Sequence, residues 1–326
     1  MRPEDRVEGM TLKNTTTSRP AGDGKPTSFL QRSAPIAAAC SAVPALAASA
    51  LALWSGPGAD YAEIFPPPWL GTVGVVLLAV ALLTRATGRE AVAHAAAWTS
   101  SAVLLGASGG VLLDAFRGFF AVTGIPAGTF SEIDLPGAIA RAAALIASFT
   151  AVQLARRIRA ETGSARGVAS GRRHRRLRTL GLLLCVPYPL LKLAWWAQGD
   201  ESAYAVGFPV MEIVLFGAAA VGIIVLTAPS IRVFPRGLVA AAGWSAAFAL
   251  LSMGALMVFG VLAQVTHLAA ATLTFDDGDR TVLVMGVYGT WLLLGATLAA
   301  ATVRYEEGVP AAPDGDRMID AKGRRG

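Results

Sequence analysis

Charge is what this chain has least of. Of 326 residues 15% are Asp, Glu, Lys or Arg while 54% are hydrophobic, whereas about a quarter of an ordinary soluble domain is charged. A mean hydropathy of +0.54 agrees, so a soluble globular domain is excluded. Cysteine is nearly absent: Cys40 and Cys185 both fall in apolar runs, which excludes a disulfide framework. The three histidines, His94, His174 and His267, are scattered too widely for a metal site. The nucleophile elbow, phosphate loop, zinc-protease helix and dinucleotide fingerprint are all missing, so no familiar enzyme type and no cofactor is expected. No signal peptide is read either, despite the cleavage-like Ala48-Ser49-Ala50, because the polar stretch 1–33 is long and carries Glu4, Asp5, Glu8 and Asp23.

What is present in quantity is long hydrophobic runs. Eight of them, at 34–53, 66–84, 91–114, 136–155, 179–197, 208–227, 237–263 and 281–303, are each long enough to cross about 30 Å of hydrocarbon as a helix. The fold class expected is all-α, a polytopic membrane helix bundle of eight transmembrane helices. Between the fourth and fifth runs lies 156–178, with nine arginines against the single acid Glu161. Lys and Arg stay on the cytoplasmic side of short loops, and placing both termini inside puts 24 of the 28 there, leaving Arg117, Arg141, Lys192 and Arg280 toward the outside. The formal net charge of +6 thus marks topology in a plasma (inner) membrane and does not imply nucleic acid. The domain plan is a disordered tail 1–33, a membrane unit 34–155, the basic linker 156–178, a second unit 179–303 and a disordered tail 304–326.

The two units resemble one another. AAAWTSSAVLLG at 95–106 aligns with AAGWSAAFALLS at 241–252 at an offset of 146, pairing Trp98 with Trp244, and Cys40 and Pro44 fall on Cys185 and Pro189 at an offset of 145. A tandem 4+4 repeat is expected. With an even number of spans per unit the copies run parallel, related by an axis along the membrane normal.

Charges inside hydrocarbon cost about 2.5–3.5 kcal/mol each at a helix centre, which makes them the candidate site residues. Lys192, near the outer end of the fifth span, and Glu212, just inside the sixth, lie at similar depth on adjacent helices. Asp114 and Arg141, closing the third span and opening the fourth, are a looser echo. On one reading these four line a cavity between the halves that binds a zwitterionic or anionic ligand. On the other, Lys192 snorkels to the headgroups while Glu212 and Asp114 rest at interface depth. Pro187 and Pro189 predict a kink in the fifth span, and Gly106-x-x-x-Gly110 permits close helix approach in the third.

The run Pro187-Tyr188, Leu191-Lys192, Trp195 and Gly199 resembles a signature of uncharacterised multi-pass membrane proteins of high-GC actinomycete-type bacteria. The resemblance implies several spans and Ala-rich helices, and supplies no catalytic or binding residues. The functional expectation is transport or small-ligand binding at an outward-facing polar site. The alternative is an accessory protein packing against a membrane partner through small-residue helix faces, and an envelope enzyme using Asp114 ranks last. The arginine linker has a second use as a contact for anionic lipid, at about 1 kcal/mol per basic residue.

Overall fold

A computed structural model describes residues 29–58, 65–162, 171–197, 208–228, 234–266 and 278–308. The tails 1–28 and 309–326, the linker centre 163–170 and His267 lie outside the described residues. The helices are α1 (Phe29–Ser55), α2 (Trp69–Ala86), α3 (Glu90–Ala107), α4 (Val111–Thr123), α5 (Leu135–Glu161), α6 (Gly171–Leu184), α7 (Pro187–Ala197), α8 (Val210–Thr227), α9 (Arg236–Val265) and α10 (Gly278–Gly308). Among the described residues they make eight spans long and apolar enough to cross a membrane, the third built from α3 with α4 and the fifth from α6 with α7.

Both composite spans are broken where the sequence removes helical geometry. Between α6 and α7 the chain turns at Cys185 and Val186, and Pro187 opens α7, where its missing amide does no harm. The break between α3 and α4 was not foreseen. Gly110 adopts φ +91°, a left-handed value that side chains disfavour, and Ser252 on α9 donates to the Ser108 carbonyl at 2.8 Å, satisfying backbone at the break. Gly106-x-x-x-Gly110 is therefore not one packing groove. A Cβ at Gly106 would run into the Phe259 ring, whereas Gly110 makes the turn itself.

Inside the first unit, small residues bring helices close and hydroxyls hold them together. Ala38, Ala45, Ala144, Ala147 and Ala151 are fully or almost fully buried in one cluster. Ser41 lies 2.7 Å from Thr150 Oγ1, and Ser148 donates to the Ser101 carbonyl at 2.8 Å. Gly74 abuts Leu104 so closely that a Cβ would sit 2.6 Å from its Cγ, while Ser100 donates to the Gly74 carbonyl at 2.8 Å. This is packing by shape and interhelical hydrogen bonds, as lipid requires. In the second unit α9 and α10 meet through Gly254 against Leu292 and Gly295 against Leu251. Helices α5 and α9 join along a ring-lined seam, where Phe149 of α5 lies edge-on to Trp244 and Phe248 of α9, with centroids 5.5 Å apart in each case.

The bundle has two chemically distinct ends. One gathers Arg85, Arg156, Arg157 and Arg236 with Glu161 and Glu306. The other gathers Asp114, Asp134 and Arg141. Helix α10 continues through Gly308, past the apolar run at 281–303, because Glu306 is held in the first of these ends. Likewise α5 runs on to Glu161, so the arginine linker begins as helix. Apolar side chains such as Ile36, Val43, Leu83, Leu183 and Val221 point outward over the bundle's sides, a surface suited to lipid.

Candidate functional site

Arg141 is set by α5, about two turns in from the N-terminus, and that start is fixed by Asp134. The Asp134 side chain accepts from the Gly137 amide at 3.2 Å and caps the helix, with Pro136 in the first turn. The same carboxylate accepts from the Gly58 amide at 3.3 Å, tying the loop after α1 to the site. Asp114 arrives from the first turn of α4, where a carboxylate is favoured by the helix dipole. The Gly110 turn is what aims it at α5.

The guanidinium then meets both acids. Nε donates to Asp114 Oδ2 at 2.5 Å and Nη2 to Oδ1 at 2.9 Å, a two-pronged fork, while Nη2 lies 3.5 Å from Asp134 Oδ2. Phe65 stacks on the group, with its centroid 4.5 Å from Cζ. All three charged residues are buried, at 6%, 3% and 5% exposure for Asp114, Asp134 and Arg141. Nη1 faces Gly137, where an added Cβ would come within 2.9 Å of it. Against the cluster lies a void of about 10 Å³ bordered by Ser49, Pro66, Pro68, Gly71, Gly137 and Arg141, room for about one water. It is shared by four helices of the first unit. Beside it Arg117 donates to the Thr129 carbonyl at 3.0 Å and stacks on Phe130, holding the 3-10 turn Gly128–Ser131 against α4.

Lys192 and Glu212 also face each other, but loosely: Nζ to Oε1 is 3.9 Å, and the side chains are 12% and 26% exposed. The ammonium lies 5.4 Å from the Trp195 ring centroid and 5.8 Å from that of Tyr188. The expected order of the two pairs is thus reversed, and the echo Asp114–Arg141 is the tight one. Each pair closes within its own neighbourhood. Asp114 and Arg141 join α4 to α5, whereas Lys192 and Glu212 join α7 to α8.

Asp134 was missed from the sequence: Asp134-x-Pro136-Gly137 carries a cap signal that could have found it, but nothing local marks it as a partner for Arg141. A third cluster carried no local signal at all. Arg156 donates to Glu306 Oε2 at 2.8 Å and to Gln153 Oε1 at 3.0 Å, Trp244 Nε1 donates to Glu306 Oε1 at 3.1 Å, and Arg236 donates to the Glu306 carbonyl. It clamps α5 of the first unit to α9 and α10 of the second. Gln153 Nε2 and Arg156 Nε are buried there without a hydrogen-bond acceptor among the described residues. Among the described residues no three His, Cys, Asp or Glu side chains gather as metal ligands would. No family model, no curated protein and no solved structure matches the chain.

Proposed function

We propose that this is a multi-pass plasma-membrane protein with both termini cytoplasmic, and that its Arg141 cluster is an outward-facing site for a small anionic or zwitterionic ligand. The observation that carries this reading is the placement of a buried guanidinium beside a void at the meeting of four helices. A ligand acid group would take the place of Asp134, whose 3.5 Å contact is the longest that Arg141 makes, while the Asp114 fork keeps the guanidinium aimed. The orientation rests on the gathering of arginines at the opposite end.

The same reading takes the two units as a parallel 4+4 repeat. In each unit the fourth span packs against the first and the third, and Glu161 and Glu306, both ion-paired at the arginine-rich end, are 145 positions apart, the offset of the Cys-x-x-x-Pro pair. The copies have diverged in role: Trp98 is 45% exposed and its match Trp244 is 5%.

Thermal melting tests the site. With Cys40 and Cys185 replaced by alanine, a small carboxylate, phosphate or amino acid is expected to raise the melting temperature, and to do so less in Arg141→Lys. Melting that no small carboxylate, phosphate or amino acid alters, or that shifts equally in Arg141→Lys, would remove the proposal. The accessory reading keeps one observation in its favour. Helix α8 leaves Met211, Val214, Leu215 and Val221 exposed, with open space at Gly217 and Gly222. If a partner covers that face, Gly217→Leu abolishes a co-purifying membrane protein; purification of the wild type in mild detergent with nothing attached counts against it.

A further inference from the structure

The arginines at the Arg85 and Glu306 end do not all have the same occupation. Arg85 and Arg157 are taken by Glu161, Arg156 by the Glu306 carboxylate and Arg236 by the Glu306 backbone. Arg175 and Arg176 are different. Both are exposed on α6, and no carboxylate among the described residues pairs with either. They border, with Thr179, Leu180 and Leu183, a shallow surface groove of about 430 Å³. These five positions are related by four-residue and three-residue steps, so they form one strip of the helix, cationic at the top and apolar below.

We propose that this strip is a binding site for an anionic phospholipid, with the phosphate held by Arg175, Arg176 and the Thr179 hydroxyl and one acyl chain laid along Leu180 and Leu183. The apolar track runs down to the Cys185–Val186 break, where Val186 is also exposed. The charge complementarity selects the occupant. A zwitterionic headgroup brings a second cation toward two guanidiniums that no carboxylate among the described residues compensates, and an apolar protein segment would leave both of them desolvated. The choice of the cytoplasmic leaflet rests on the orientation proposed above, whereas the lipid preference itself does not.

Native mass spectrometry of the full-length protein in detergent, supplied with equal phosphatidylglycerol and phosphatidylcholine, reads the site directly. Wild type is expected to retain phosphatidylglycerol selectively. Arg175→Gln with Arg176→Gln should lower that retention about thirtyfold, the increment two basic residues carry beside anionic lipid, while Arg175→Lys with Arg176→Lys and the exposed control Arg159→Gln should keep most of it. Equal retention by the Gln variant, equal retention of the two lipids by wild type, or complete displacement by millimolar inorganic phosphate would each overturn the proposal. Detergent has no sides, so a topology reporter that places residues 163–170 outside would refute the orientation and leave this measurement standing.

Discussion

Arg141 and Lys192 are both cations near the end of an apolar helix, and their surroundings give them different energetic weight. Arg141 is buried, forked onto Asp114 and stacked on Phe65. Removing one partner of a buried pair leaves the other charge without compensation, at about 3–5 kcal/mol. Arg141→Ala is therefore expected to lower the melting temperature of the purified protein sharply, and Arg141→Lys only part of the way back toward wild type, because an ammonium cannot form the fork. Lys192 sits 3.9 Å from a partly exposed Glu212, and such pairs contribute about 0–1 kcal/mol. Lys192→Ala should melt within a few degrees of wild type, and a fall as large as that of Arg141→Ala would show that the looser pair had been misjudged.

At the scale of elements, the turn between α3 and α4 decides where Asp114 points. Two glycines of the same neighbourhood predict opposite outcomes. Gly110→Ala forces a side chain into φ +91° and brings its Cβ to 2.8 Å from the Phe65 ring, so a loss of about 1–2 kcal/mol or more is expected. Gly118, in the middle of α4, has nothing within 4 Å of its missing Cβ, and Gly118→Ala should stabilise by about 0.5–1 kcal/mol. Parallel thermal melts of the two variants check this, and a neutral Gly110→Ala would mean that the turn is not needed to aim α4.

At the scale of the whole molecule, the question is what keeps α1–α5 and α6–α10 together when lipid is as apolar as their flanks. The seam of Phe149, Trp244 and Phe248 supplies close ring packing, and the Arg156–Glu306–Trp244 cluster adds charge-assisted hydrogen bonds at one end. Fragments 1–166 and 167–326, expressed together, should co-purify through that seam. Glu306→Gln is expected to weaken their association, because it strips the buried Arg156 of its counter-charge; fragments that separate freely even as wild type would show that the linker alone holds the units in register.

The sequence by itself determined the class of object. Apolar run length and the spacing of Lys and Arg are properties of short stretches, and bilayer thickness converts them into eight spans without reference to any other part of the chain. The proline break in the fifth span was legible for the same reason, since it depends on neighbours within a turn, and the missed cap at Asp134 had a signal of that same local kind. The break at Gly110 was not, because glycine in an Ala- and Gly-rich helix permits a turn without demanding one. Only the tertiary structure decided which charges meet. Asp114 reaches Arg141 across 27 positions and Arg156 reaches Glu306 across 150, and no local pattern encodes such pairings: they follow from which helix faces pack, which small residues let them approach, and which buried charge then has a counter-charge within reach.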